Sequence, residues 1–366
     1  MKIRAAVARQ VNAPLSLEEI EMEEPRDSEI LVRVVAAGIC HTDLVVRDGQ
    51  IAVPFPVVLG HEGAGIVERV GSAVTKVAPG DHVVMTFNSC GSCPSCREHA
   101  TTYCHESFAR NFLSARADGS SALSGEGGRI NGNFFGQSSF ATYALCHEVN
   151  TVKVPADVPL ELLGPLACGV QTGAGAVMNS MKVGAGKTFA VFGAGSVGLS
   201  AIMAAHVACA RVIVAVDVND ERLAVARELG ATHTINPKTG DATALIAEIT
   251  GYGIDYALDT TGIEPVILSA LNSLAPRGVL GILGASERES VIPVKQGFLR
   301  SSGRRIMGIV EGDSNPDVFI PLMIELYRQG RFPFDKLLRF YSFDEINQAI
   351  HDSETGKTIK PVVRMN

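Results

Sequence analysis

TFAVFGAGSVGLSAIMAAHVACARVIVAVD, residues Thr188–Asp217, decides the fold. Thr188–Phe192 is an apolar run of strand length, rich in β-type residues. Gly193-Ala194-Gly195-Ser196-Val197-Gly198 follows at once in the spacing G-x-G-x-x-G. Ser196–Cys209 then reads as an apolar helix and Val212–Val216 as a second apolar strand. In a chain with 37 glycines that spacing alone says little. Between a strand and a helix it marks a turn whose backbone comes close to a pyrophosphate, with the helix N-terminus behind it. Asp217 ends the second strand, 19 residues after Gly198. A carboxylate there accepts hydrogen bonds from the adenosine ribose hydroxyls and repels a 2′-phosphate. Val218 and Asn219 supply no arginine to hold such a phosphate. The expected cofactor is NAD, bound by Gly193, Gly195, Ser196, Val197, Gly198 and Asp217.

Outward from this stretch the same alternation continues. A helix is expected over Asp220–Leu229. Further strands fall near Thr232–Ile235, Asp255–Leu258, Val279–Leu283 and Ile306–Val310. Six apolar strands separated by helices describe an α/β, doubly wound, six-stranded parallel sheet over residues 170–310, a Rossmann domain. Residues 1–169 differ in texture. Runs such as Ile30–Val35 and Gly65–Val70 read as strands between glycine turns, and Ser107–Gly136 reads as surface loop. The tail, 311–366, is mixed, with helices expected near Asp317–Gln329 and Asp344–His351. The nucleotide domain is therefore expected as an insert between two pieces of a β-rich domain.

The bulk numbers exclude several classes. With 366 residues the chain exceeds one ordinary core and suits two domains. A net charge of -7 argues against nucleic acid and anionic membranes as partners. The opening MKIRAAVARQ has no apolar stretch of signal-peptide length. The longest apolar region, Ser196–Val218, is interrupted by His206 and Arg211, which a membrane span tolerates poorly. A cytoplasmic enzyme acting on a small molecule is expected, with no membrane or nucleic-acid partner. In a reducing compartment, clustered cysteines bind metal more often than they form disulfides.

The cysteines fall into two kinds. Cys90-x2-Cys93-x2-Cys96-x7-Cys104 offers four thiolates at short spacing, which suits a closed tetrahedral zinc that folds a lobe over about residues 88–106. Two disulfides or an iron–sulfur cluster are the alternatives. Cys40, His61 and Cys168 lie far apart, each in a glycine-rich or sharply turning context. Two thiolates and one imidazole leave zinc a fourth position open, as a catalytic site requires. Taken singly, each also fits a bland role: a buried small side chain for the cysteines, a capped turn for the histidine.

Gly60-His61-Glu62-x2-Gly65, the Cys40 turn, the four-cysteine lobe and the Gly193–Gly198 turn together resemble the zinc-containing medium-chain dehydrogenases, over the whole chain. Within that family the stretches CHTDLVVRD (Cys40–Asp48), QSSFATYA (Gln137–Ala144) and QTGAGA (Gln171–Ala176) are similar to aryl (benzyl) alcohol dehydrogenases. The resemblance implies a GroES-like catalytic domain and zinc ligation by Cys40, His61 and Cys168, so two zincs per chain. It places Glu62 beside the metal, Asp43 behind His61 and Thr42 as the group that accepts the alcohol proton. His41 and Lys360 would contact the cofactor pyrophosphate, Arg222 the adenosine ribose and Thr172 the nicotinamide; solvated surface charges are the alternative for Arg222 and Lys360. It also implies a homodimer or homotetramer, which would pair the otherwise free edge at Ile306–Val310. One position departs from the liver-type pattern: Val45 stands where a histidine ends the proton relay.

The reaction so implied is hydride transfer between a zinc-bound alkoxide and NAD, interconverting a primary, benzyl-type alcohol and its aldehyde. Phe55, Phe87, Phe112 and Phe140 are candidate pocket walls. A geraniol-type terpene alcohol suits the same chemistry. A glutathione-dependent formaldehyde dehydrogenase would need a basic pocket, for which no motif is evident. The non-enzyme alternative is a zinc-binding module built on the cysteine lobe.

Overall fold

The computed structural model describes residues 1–286 and 289–365. The chain divides into two compact units. One comprises Met1–Cys168, Asn315–Leu322 and Asp335–Asn366, and the other Gly169–Ser314 and Met323–Phe334. The chain's return is thus split, with residues 323–334 grouped with the second unit.

The second unit is built on six parallel strands in the order His233–Ile235, Val212–Val216, Thr188–Phe192, Ile254–Asp259, Leu274–Ile282, Arg305–Gly308. The order winds outward in both directions from Thr188–Phe192, so the switch point of this doubly wound sheet lies at the end of that strand. Thr188–Phe192 and Val212–Val216 are buried along their whole length, as strands covered on both faces must be. The helix Ser196–Val207 is buried from Gly198 to Ala205, which explains its unbroken apolar run. It ends short of the expected Cys209, whose backbone turns left-handed at φ 59. Two other boundaries differ from the expectation. The strand anticipated from Val279 begins at Leu274, with an irregularity in the pairing between Ile254–Leu274 and Tyr256–Val279. The last strand ends at Gly308 rather than Val310, since the chain bends into a left-handed turn at Glu311–Asp313.

The first unit holds two sheets. Five strands run Val57–Val58, Lys2–Ala8, Ser16–Met22, Leu123–Gly125, Gly128–Ile130. In the seven-stranded sheet Glu29–Gly38 is the hub. Glu62–Val70 pairs along one side of it, and Tyr143–His147 and Lys360–Arg364 share the other. A ten-residue strand with three partners brings segments remote in sequence to its C-terminal end, where Gly38 pairs with both Glu62 and Val362. The stretch expected as loop, Ser107–Gly136, instead contains the helix Ser107–Phe112 and the hairpin Leu123–Gly125/Gly128–Ile130. Its glycines mark the hairpin turn, with Gly127 at φ 92 and Gly128 at φ 102.

Candidate active site

Past Gly38 the chain reaches Cys40 and enters the helix His41–Arg47. Asp43 caps this helix: one carboxylate oxygen, Oδ2, accepts from the Cys40 N–H at 3.0 Å. The other oxygen accepts from Gly60 N–H at 3.1 Å and pairs with His61 Nδ1 at 2.9 Å. Gly60 sits at φ 92, and a Cβ there would meet the Phe140 backbone nitrogen at 2.5 Å. This sharp turn therefore needs glycine. It delivers His61 and Glu62 to the start of the strand Glu62–Val70. Cys168 follows the short helical turn Gly164–Ala167.

These segments bring Cys40, His61, Glu62 and Cys168 together, with one ligand atom of each within 4.8 Å of the others. His61 is fully buried, and its Nε2 has no hydrogen-bond partner among the described residues. With Nδ1–H donating to Asp43, Nε2 presents a lone pair toward the two sulfurs, as a histidine that binds zinc and is oriented by a carboxylate does. An orphaned buried nitrogen is otherwise costly. The residues fit zinc. The Cys40 thiol is held well below its ordinary range, led by the hydrogen bond from Cys168, against the burial that opposes ionisation. Phe135 stacks on the His61 ring at 4.5 Å, and Phe134 meets it edge-on at 5.7 Å. Neither phenylalanine stood out in the sequence; of the four proposed there, Phe112 packs against both at 5.1 and 6.0 Å.

Lys360 is not a solvated surface charge. It is fully buried, and its ammonium donates to Glu62 Oε1 and Oε2 at 2.8 and 2.9 Å and to Ile39 O at 3.1 Å. These three oxygens face its three ammonium donors. It lies in the strand Lys360–Arg364, whose pairing with the hub strand carries it inward. Burial opposes its charge, but Glu62 raises its pKa and keeps it protonated. Gly38 makes room for the pair: a Cβ there would fall 2.1 Å from Glu62 Oε2. Thr42 is half-buried with Oγ1 3.9 Å from Cys40 Sγ. His41 is exposed and Val45 is buried.

The lobe brings Cys90, Cys93, Cys96 and Cys104 into a second cluster, sulfurs within 4.8 Å of one another. Backbone N–H groups point at the sulfurs: Cys93 N to Cys90 Sγ at 3.2 Å, and Cys90 N to Cys104 Sγ at 3.2 Å. Such donors favour thiolate, and the Cys90 thiol falls to about 6, led by the N–H of Ser92. No disulfide joins any of the eight cysteines.

In the second unit the glycine turn has the geometry a dinucleotide needs. Gly193 is at φ 97, and a Cβ on Gly198 would lie 1.9 Å from Gly193 O, so the helix packs where only glycine fits. A Cβ on Gly195 would meet nothing within 4 Å among the described residues, leaving its backbone open to a ligand. Asp217 accepts from Ala194 N at 2.6 Å and Asn219 N at 2.8 Å. Arg222 Nε is buried without a partner among the described residues. Thr172, on the helix Gly169–Gly175, donates to Glu311 Oε2 at 3.1 Å.

Residues 26–156 match the alcohol dehydrogenase GroES-like domain, and residues 196–328 match the zinc-binding dehydrogenase family. A geraniol dehydrogenase of Castellaniella defragrans is 47% identical over 362 residues, covering 98% of this chain and 97% of that protein. Benzyl alcohol dehydrogenase from Acinetobacter calcoaceticus superposes with a TM-score of 0.97 at 48% identity, covering 100% of both chains. An alcohol dehydrogenase zinc-binding domain protein from Burkholderia ambifaria gives 0.99 at 52%, covering 100% of this chain and 99% of that one. The chain belongs to the zinc-type medium-chain alcohol dehydrogenase family. It is an alcohol dehydrogenase of GroES-like and Rossmann architecture, and that membership implies zinc and a nicotinamide dinucleotide.

Proposed function

We propose that this enzyme oxidises a primary alcohol whose carbinol carbon adjoins an unsaturated carbon, benzylic or allylic, to the aldehyde with NAD, and catalyses the reverse. The observation that carries the reading is the buried set of Cys40, His61 and Cys168 with the bare Nε2 of His61 aimed into it. When bound, zinc supplies a Lewis acid that makes an alcohol hydroxyl acidic near neutral pH. A second zinc, in the four-cysteine lobe, shapes the fold. Asp43 fixes the tautomer and orientation of His61. Thr42 Oγ1, beside Cys40, accepts the proton released from substrate. With Val45 closing the liver-type route, the proton leaves toward the exposed His41 or water. The aromatic group Phe112, Phe134 and Phe135 around His61 suits an apolar, unsaturated substrate and offers no charge to a glutathione adduct.

NAD is favoured over NADP because Asp217 keeps its carboxylate at the tip of the second strand, with lone pairs beyond the two backbone N–H groups it accepts. The unpartnered Arg222 Nε supports a ligand nearby. The edge strand Arg305–Gly308 has one partner in the sheet, which suits self-association into a dimer or tetramer.

Turnover on benzyl alcohol, geraniol, a saturated primary alcohol and hydroxymethyl-glutathione, each with NAD and NADP and alongside zinc analysis, tests the reading. Benzyl alcohol and geraniol with NAD are expected to lead. Preference for hydroxymethyl-glutathione, or for NADP, would sink it.

A further inference from the structure

Asp43 ties Cys40 to His61. Cys168, the remaining ligand, meets Cys40 thiol to thiol within the cluster, and a tie from outside the ligands would have to reach its backbone. We propose that Gln137 and Thr86 form that second tie, positioning His61 against Cys168 so that the site holds its metal tightly. The proposal rests on the reading of Cys40, His61 and Cys168 as a metal site.

Gln137 is 1% exposed and uses both ends of its amide. Nε2 lies 2.9 Å from His61 O, 3.0 Å from Met85 O and 3.2 Å from Thr86 O, and Oε1 accepts from Gly63 N at 3.1 Å. His61 O and Gly63 N flank Glu62, so one side chain clamps the tripeptide His61-Glu62-Gly63 as it enters its strand. Two N–H groups span three carbonyls, so at least one is shared. The far side of the clamp is the end of the neighbouring strand His82–Met85, which pairs with the first strand through Gly63–Met85. From there Thr86, fully buried, donates its hydroxyl to Ala167 O at 2.7 Å. That carbonyl belongs to the peptide bond leading into Cys168. Cys168 itself has φ -142 and ψ -84, outside helix and strand, so no regular ladder fixes its direction. A buried chain of hydrogen bonds therefore runs from His61 through Gln137 and Thr86 to the backbone of Cys168.

Neither side chain is among the metal's candidate donors. Both act through backbone, as positioning residues, and both are buried, where such a network is strong only if every member is satisfied. Gln137 opens the stretch Gln137–Ala144, and Thr86 lies in no motif. Their partners are backbone groups, which no residue pattern displays.

The experiment uses the full-length zinc-loaded protein with Gln137→Met, Thr86→Val and Thr86→Ser. Zinc per chain and the concentration of chelator that strips each zinc are measured. The sulfur-to-metal charge-transfer bands are recorded after cobalt replacement. Gln137→Met and Thr86→Val are expected to release the zinc of Cys40, His61 and Cys168 about 10–100-fold more readily, with shifted cobalt bands. The lobe zinc should not change, and Thr86→Ser, which keeps the hydroxyl, should behave as the parent. If Gln137→Met fails to fold, the Val and Ser pair at Thr86 decides. Parental zinc retention and spectra in Thr86→Val would overturn the tie, as would equal losses in Val and Ser variants. A parent protein holding a single zinc, in the lobe, would overturn the metal reading itself, a result separable from failure of the tie.

Discussion

The lobe of Cys90–Cys104 and the cluster of Cys40, His61 and Cys168 gather their donors in opposite ways. The lobe draws four sulfurs from one short stretch, and its supporting contacts are backbone N–H groups of that same stretch, from Cys90, Ser92, Cys93 and Glu106. The other cluster draws on three separate segments of the first 168 residues and is held by side chains: Asp43 on one side, Gln137 and Thr86 on the other. A site supported by its own backbone can be undone only at its ligands. One supported by distant side chains can be tuned, or broken, from outside. That difference suits a closed structural metal in the first case and a catalytic metal with an open position in the second.

The largest expected effect separates the two sites by what is lost. Cys40→Ala should lower turnover by about 10³-fold or more, while the melting temperature moves little. Cys93→Ala should leave turnover per folded molecule within about tenfold but lower the melting temperature, since a structural zinc contributes folding energy directly. Each variant should retain one zinc per chain. Steady-state kinetics, calorimetry and metal analysis check this. A folded Cys93→Ala protein without activity would break the division of roles.

The strand Glu29–Gly38 joins the two regions. Its last residue lies two before Cys40, and its first, Glu29, pairs with Arg116 just past the lobe through bonds of 2.7 and 2.8 Å. Both side chains are almost fully buried, and Cys90 lines the same groove. Removing one partner of such a pair costs about 3–5 kcal/mol, so Glu29→Gln should lose stability of that order near neutral pH. Burial alone would raise the carboxyl pKa. Arg116, with the N–H of Arg26, outweighs it and holds the value below the ordinary 4.5. A pKa lowered by folding contributes stability fully above the unfolded value and loses it as pH falls through the folded one. The gap between parent and variant in urea unfolding should therefore be wide at pH 7 and shrink below about pH 4.5. A gap independent of pH would show that the charge of Glu29 is not what anchors the strand.

The same contrast explains what could be read from residues alone. The lobe was legible because ligand spacing within one loop is itself geometry. The cofactor turn was legible because strand, glycines and helix are consecutive. The Lys360–Glu62 pair was not legible, because a lysine near the C-terminus looks the same whether it reaches solvent or a buried carboxylate. Only the pairing of Lys360–Arg364 with the hub strand carries it inward to Glu62. The place of Phe135 and the task of Gln137 were hidden for a related reason. The loop that presents them runs through left-handed backbone at Asn133, Phe135, Gly136 and Ser138, with φ between 52 and 71. Hydrophobic periodicity carries no trace of such a path. The hairpin within Ser107–Gly136 was missed because its strands are three residues each, too short to show alternation.

The smallest effect tests the side-chain half of the comparison most directly. Asp43 does not ligate, yet its two oxygens hold the Cys40 N–H, the Gly60 N–H and His61 Nδ1. Asp43→Ala should weaken zinc at Cys40, His61 and Cys168 by about 10–100-fold, read by chelator competition, and leave the lobe zinc untouched. Asp43→Asn should fall between parent and alanine. Its single oxygen can serve either Cys40 or the Gly60–His61 pair, and its amide offers a donor where both partners also donate. If alanine and asparagine bind zinc as tightly as aspartate, the ligands hold their own positions and the contrast with the lobe disappears. If the lobe zinc is lost as well, Asp43 is supporting the whole unit rather than one metal.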